Sequence, residues 1–269
     1  MQVEAQPRAR GAVRLTAKAV GGATKLDRLR QQGALKLILP TLFRDDLEAV
    51  LVNTSGGVTG GDELSVEVTA REGTTVSVTT QAAERLYRAQ PGECARISNR
   101  VDVEAGARLN WLPQETILFD RCSARRTLDV ELAVGAAFLM VESLIFGRAA
   151  MGEVLRAADF NDRIAIRRTG VPVYLDGVDL RGDVARQMMA PACGAGAQAV
   201  SSIVLVHPQA AAFLAPLRAM LPFAAGASLI AEDVLVMRVV AADGFALRET
   251  LVPVLMLLNE TLLPKSWRL

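Results

Sequence analysis

The stretch LSVEVTAREGTTVSVTTQ, residues 64–81, decides the fold. In its first half Leu64, Val66 and Val68 alternate with Ser65, Glu67 and Thr69. That period puts the apolar side chains on one face of an extended chain and the polar ones on the other, the pattern of a half-buried β-strand. Gly73 then supplies a turn, and a second extended run begins beyond it.

The same construction recurs. VDVEAGARLNWLPQ (101–114) turns at Gly106, LDVELAVGAAFLMVES (128–143) at Gly135 and IAIRRTGVPVYLD (164–176) at Gly170, at intervals of 33, 29 and 35 residues. A later copy, VMRVVAADGFALRETL (236–251), turns at Asp243-Gly244. What repeats is the pattern and not the residues. The expectation is a mainly β chain of stacked sheets, a β-helix-like solenoid of hairpins, with an ordinary sandwich as the alternative. Two stretches carry helical spacing: Pro208 to Leu221, with Phe213, Leu214, Leu217 and Leu221, and the leucine-rich run Leu251 to Leu262. No linker rich in Gly, Ser or Pro divides the chain, so one domain is expected over residues 12–269, after a disordered tail of residues 1–11.

Thirty Lys and Arg balance twenty-nine Asp and Glu, a net charge of +1, so no overall field recruits nucleic acid or anionic lipid. Residues 1–11, MQVEAQPRARG, lack the apolar run of a secretory leader, and Cys94, Cys122 and Cys193 are widely separated. A reducing cytoplasm is the expected compartment. Gln187 to Leu217 has no formally charged side chain, but Pro191, Gln198, His207, Pro208, Gln209 and Pro216 interrupt it. It suits a core segment or a partner-facing surface better than a membrane span.

The candidate chemistry is carboxylate chemistry. In FLMVESLIFGR (138–148), Glu142 shares its face with Phe138, Met140, Leu144 and Phe146, and the opposite face is mainly apolar too, so Glu142 is expected to be buried. A buried carboxylate must be protonated, paired or bound to a cation. An ion pair with Arg148 or another arginine answers that need, and so does a polar channel through an apolar body. Asp176, before Gly177, and Asp62, after Gly60-Gly61, read equally as turn carboxylates that accept backbone N–H groups. Glu115 joins them by sharing a face with Ile117 and Phe119.

Several chemistries are disfavoured. His207 is the one histidine, without a C-x-x-C, H-x-x-x-H or H-E-x-x-H pattern, so a tight zinc or nickel site from this chain is not expected. It reads as a helix-entry residue before Pro208. There is no G-x-S-x-G, and GGVTGG (56–61) lacks the Lys-Ser/Thr ending of a phosphate loop and runs into a strand rather than a helix.

Five stretches in order are similar to the urease accessory protein family UreD, also called UreH. They are NTSGGVTGGDEL (53–64), TTQAAERLYRA (79–89), LNWLPQETILFD (109–120), ESLIFGRAAMGE (142–153) and LLPKSW (262–267). The family loop often has proline where this chain has Thr54 and Ser55, a departure that leaves Asp62 in place. The resemblance implies a non-enzymatic assembly factor of stacked β-sheets with two short helices. It implies direct binding to UreF, association with the GTPase UreG through UreF, and docking on the urease apoenzyme UreABC. It also implies no tightly bound cofactor, and Ni²⁺ in transit through an internal water-filled tunnel whose acidic positions correspond here to Asp62, Glu142 and Asp176. Isolated carboxylates hold such an ion weakly enough to release it. Two other functions remain open: a rigid adaptor without a metal path, using the apolar segment 187–217 and the C-terminal helix, and a hydrolase with Asp62 and Glu142 as acid and base.

Overall fold

The computed structural model describes residues 6–148 and 151–268. At Gly73 the chain does not fold back within one sheet. β5 (Glu63–Ala70) lies in a seven-stranded sheet A and β6 (Thr75–Thr80) in a ten-stranded sheet B. The same crossing carries β8 (Ala95–Val103) to β9 (Arg108–Leu112) at Gly106, and β11 (Cys122–Leu132) to β12 (Ala137–Phe146) at Gly135. Gly73, Gly106 and Gly135 have φ of 68°, 65° and 77°, a left-handed conformation that costs glycine least. These three turns are arches between sheets, whereas Gly170 makes a hairpin within sheet A, between β13 (Ala158–Arg168) and β14 (Val171–Gly182). The stacked solenoid expected from the sequence is the fold, and the arches make its successive coils pair in parallel.

In sheet A, β5, β8, β11 and β13 are joined in parallel to one another and to β1 (Arg10–Val20), with β2 (Ala23–Gly33) and β14 closing the two edges antiparallel. In sheet B, β4 (Leu47–Asn53), β6, β9 and β12 run parallel. β3 (Leu35–Ile38) flanks β4, and β15 (Ala199–Val206), β17 (Val234–Ala241) and β16 (Ala225–Ala231) follow β12 antiparallel. Short strands β7 (Glu84–Leu86) and β10 (Thr116–Leu118) line the corner where the chain leaves sheet B for sheet A.

Alternation along β12 explains why both its faces are apolar. Phe138, Met140, Leu144 and Phe146 pack toward sheet A, while Leu139 and Val141 pack beneath the helices with Leu247, Leu251 and Leu255. Helix α1 (Val184–Met188) is short, and α2 (Ala210–Met220) falls inside the range expected for it. The other expected helix, Leu251 to Leu262, is displaced: α3 spans Gly244–Leu258, because the Asp243 side chain accepts from the Ala246 N–H at 2.8 Å and caps it. Asp243-Gly244 therefore opens a helix instead of turning a hairpin. With α4 (Lys265–Arg268), four helices rather than two stand among the described residues.

One other expectation changes. β1 starts at Arg10, inside the expected tail, because the Glu63 N–H donates to the Ala9 carbonyl and the Ala34 N–H to that of Arg10. Residues 1–5 lie outside the described residues. Within the uncharged segment 187–217, β15 is a core strand with Ile203 to Val206 almost wholly buried, in line with the core-segment reading, so the segment as a whole is not a partner-facing surface. Among the described residues no helix is long and apolar enough to cross a membrane.

Candidate functional site between the two sheets

Most of the space between the sheets is apolar, but one band across it is polar. On sheet B, Glu142 of β12 pairs in register with Ser202 of β15, which pairs with Arg238 of β17. On sheet A, Arg126 of β11 is in register with Asp162 of β13. Two residues on, Ile164 pairs with Asp176 of β14. These side chains enclose a cavity of about 50 Å³.

At its inner end Arg126 is held from three sides. Its Nε and Nη2 donate to Asp162 at 3.0 and 2.6 Å, and its Nη1 donates to Thr116 Oγ1 at 3.0 Å and lies 2.9 Å from Glu142 Oε2. The indole N–H of Trp111 donates to Glu142 Oε1 at 2.8 Å. Two buried carboxylates thus share one guanidinium. Burial pushes the Glu142 carboxyl above its ordinary range; Arg126 opposes the rise, and Asp162 adds to it. Burial alone would lower Arg126, but its two carboxylate partners outweigh that and raise it.

At the outer end Asp176 accepts from the Tyr174 hydroxyl at 2.8 Å, the Gly177 N–H at 2.9 Å and the Arg238 guanidinium. Burial would raise this carboxyl, but the hydrogen bonds from Arg238 and Tyr174 prevail and hold it below the usual aspartate range. Asp176 is a mid-strand residue facing the cavity, not a turn carboxylate.

Glu142 and Asp176 are therefore brought to one cavity, and the other two candidates sit elsewhere. Asp62 is buried, with Oδ1 accepting from the Ala9 N–H at 2.7 Å and Oδ2 from the Thr59 N–H at 2.8 Å. It staples the start of β1 to the glycine loop. Gly57 in that loop has φ of 152°, and a Cβ there would lie 2.2 Å from the Tyr87 ring. Asp62→Ala strands two backbone donors, and we expect a loss of about 1–3 kcal/mol in urea unfolding, with Asp62→Asn losing less. Glu115 precedes β10 and lies beside Arg248 of α3, 3.5 Å from its Nη1. Asp62 does not line the cavity that Glu142 lines, where an acid–base pair would have to meet. Glu142 pairs with Arg126 and not with the neighbouring Arg148, which bonds Glu153 and stacks 4.2 Å over the Phe119 ring.

The model of the family described as UreD urease accessory protein matches residues 9–268. The chain is 54% identical over 253 residues to a urease accessory protein UreD of Ruegeria pomeroyi, covering 94% of this chain and 98% of the relative. It is 50% identical over 264 residues to one from Roseobacter denitrificans (98% and 96%) and 44% identical over 265 residues to one from Agrobacterium fabrum (98% and 93%). The chain belongs to the UreD family.

In this UreD chain four of the five motif stretches lie at one corner of the solenoid, where sheet B strands leave for sheet A. They cover the β4–β5 connection, β7, β10 and the end of β12; Ala149 and Ala150 lie outside the described residues. The fifth, LLPKSW, ends in α4. The partners Arg126, Asp162, Trp111, Ser202 and Arg238 were not among the residues expected at the site. Alternation could have found two of them: Arg126 shares its face with Ala124, Leu128 and Val130, and Asp162 shares its face with Phe160, Ile164 and Ile166. His207 sits at the entry to α2, its Nδ1 accepting from the Gln209 N–H at 3.1 Å and its Nε2 2.9 Å from Glu260. Burial pushes the Cys122 thiol up to about 12, so it stays protonated. Among the described residues no three His, Cys, Asp or Glu side chains are grouped closely enough to hold a metal ion.

Proposed function

We propose that this chain is a non-catalytic cytoplasmic scaffold of urease maturation, one that binds UreF directly, meets UreG through UreF and docks on the UreABC apoenzyme. In this reading Ni²⁺ is cargo that passes through the polar band between the sheets. The observation that carries it is the meeting of Glu142, Asp162 and Asp176 around one cavity in the mainly apolar space between the sheets. Oxygen donors of this kind, each already shared with a guanidinium, attract a divalent ion without the grip of thiolates or imidazoles. Asp62, committed to backbone N–H groups, supports the fold of the loop in this scheme. Glu142→Gln and Asp176→Asn are expected to lower nickel per urease active site several-fold, measured by elemental analysis of urease matured in cells, while co-purification with UreF persists. Full loading by both folded variants would refute the passage.

A second reading, the adaptor without a metal path, is favoured by the apolar side chains displayed outside the helices. Phe245 and Met256 of α3, with Phe223 and Leu262, are largely exposed. In that case Phe245→Ser and Met256→Ser break co-purification, whereas the cleft variants leave nickel loading intact.

A further inference from the structure

Exposure along the polar band rises from one end to the other. The side chains of Glu142, Arg126 and Asp162 are 7%, 9% and 5% exposed, that of Asp176 16%, and that of Arg238 54%. Arg238 is the point where the band meets solvent. Val234 and Val236 precede it on the same face of β17 and pack in the inter-sheet core, so the arginine replaces an apolar residue in the alternation at the rim. Its guanidinium spans from sheet B to Asp176 on sheet A and also donates to Ser202 Oγ at 3.1 Å, across the outer end of the cavity.

The two arginines of the band differ in how firmly they are held. Arg126 has four contacts on three buried partners, and releasing it strands two carboxylates without counter-charge. Arg238 is half in water, where an ion pair gains little over hydration, so leaving its partners costs it less than it would cost Arg126. When Arg238 leaves, Asp176 stays aimed into the cavity, because the Tyr174 hydroxyl and the Gly177 N–H still hold it. We propose that Arg238 controls access to the cleft: its guanidinium covers the outer end, and swinging off Asp176 and Ser202 admits water and cations to the cavity before Glu142. This role rests on the passage reading, and it assigns the regulation of that path to one side chain.

The chain contains two tryptophans, and they make an internal comparison. The Trp111 indole N–H bonds Glu142 at the inner end of the cavity, while the Trp267 indole N–H bonds the Leu112 carbonyl on the far side of sheet B. Solvent exchange of both indole protons is read by NMR on the ¹⁵N-labelled full chain. Arg238→Ala is expected to speed exchange at Trp111 on the order of tenfold and leave Trp267 unchanged, with Arg238→Lys between the two. An unchanged Trp111 rate overturns the proposal, and so does a parallel acceleration at both indoles, which signals general loosening. Added Ni²⁺, a paramagnetic probe, separates this from the passage reading. Faster Trp111 exchange in Arg238→Ala with no Ni²⁺ broadening of its signal upholds Arg238 as the cover against water and refutes the entry and passage of cations. Equal broadening and equal exchange in both proteins refute the access role and leave passage standing.

Discussion

Arg126→Met is expected to cost about 3–5 kcal/mol of folding stability at pH 8, because it leaves two buried carboxylates facing each other without a counter-charge. Methionine fills much of the vacated volume, so the loss measures charge more than cavity. Acidification should recover part of it. In the native protein burial raises the Glu142 carboxyl, so the folded state holds a proton that the unfolded state has already released above its ordinary value of 4.5. Stability from this group is therefore fully present at low pH and falls as pH rises through the raised native value. Removing Arg126 removes the main influence that lowers Glu142, which carries the native value higher and moves the loss to higher pH. Urea unfolding at pH 8 and pH 5.5 should show a smaller gap from wild type at the lower pH. A gap that stays the same on acidification would mean that Glu142 is ionised throughout and that Arg126 acts only by packing. Asp176 runs the other way: its lowered native value gives stability that is present above the ordinary 3.8 and is lost as pH falls through the native value. The triple variant Arg126→Met, Glu142→Gln, Asp162→Asn should regain most of the loss, since neutralising every member of a buried ionic group removes the desolvation penalty along with the attraction.

Glu142 was legible because a charged residue interrupts an alternating apolar face, and burial follows from that alone. The same rule applies to its partners, since Arg126 and Asp162 interrupt the inward faces of β11 and β13 in the same way. Nearness in sequence pointed to Arg148, whereas a parallel solenoid brings together positions tens of residues apart. Asp176 misled for a local reason: Gly177 after it suggests a turn, yet β14 continues to Gly182 and Gly177 is paired in the ladder opposite Arg163. The arches at Gly73, Gly106 and Gly135 have the alternation and the glycine of a hairpin. They differ only in which sheet receives the second strand, and that is set by packing between sheets and not by any local residue. Asp243-Gly244 is the reverse case, a hairpin signal overridden by a cap and the leucines that follow it.

Trp267→Ala is the second change expected to have a large effect, again about 3–5 kcal/mol, and for a different reason. Trp267 is among the largest fully buried side chains, and it joins α4 to the cluster of Leu112, Leu139, Val141, Leu251 and Leu255 between sheet B and the helices. Its indole N–H donates to the Leu112 carbonyl at 2.8 Å, and the Arg248 guanidinium lies 5.0 Å from its ring. The neighbouring Ser266 is within reach of Thr79 and Gln114, at 3.2 and 3.4 Å, so α4 is fastened at several points and cannot collapse into the space that alanine leaves. Beneath the helices lies a polar patch in which Arg108 donates to Asn110 and to the Leu258 carbonyl at the end of α3, and Asn110 donates to Ser77. Those groups regain water if the layer lifts, which offsets part of the apolar loss and places the cost below the sum of the buried areas. Trp267→Phe keeps most of the volume and loses the donor, so about 1 kcal/mol is expected from the Leu112 carbonyl. Because the side chain removed carries no ionisable group, its cost should be the same at pH 8 and pH 5.5, unlike that of Arg126→Met. The helical layer and the inter-sheet core are separate apolar clusters on opposite faces of sheet B. Trp267→Ala should therefore loosen the helices while Trp111 indole exchange stays slow. If that exchange accelerates as well, the two faces unfold as one unit and the cleft owes its order to the helices behind it.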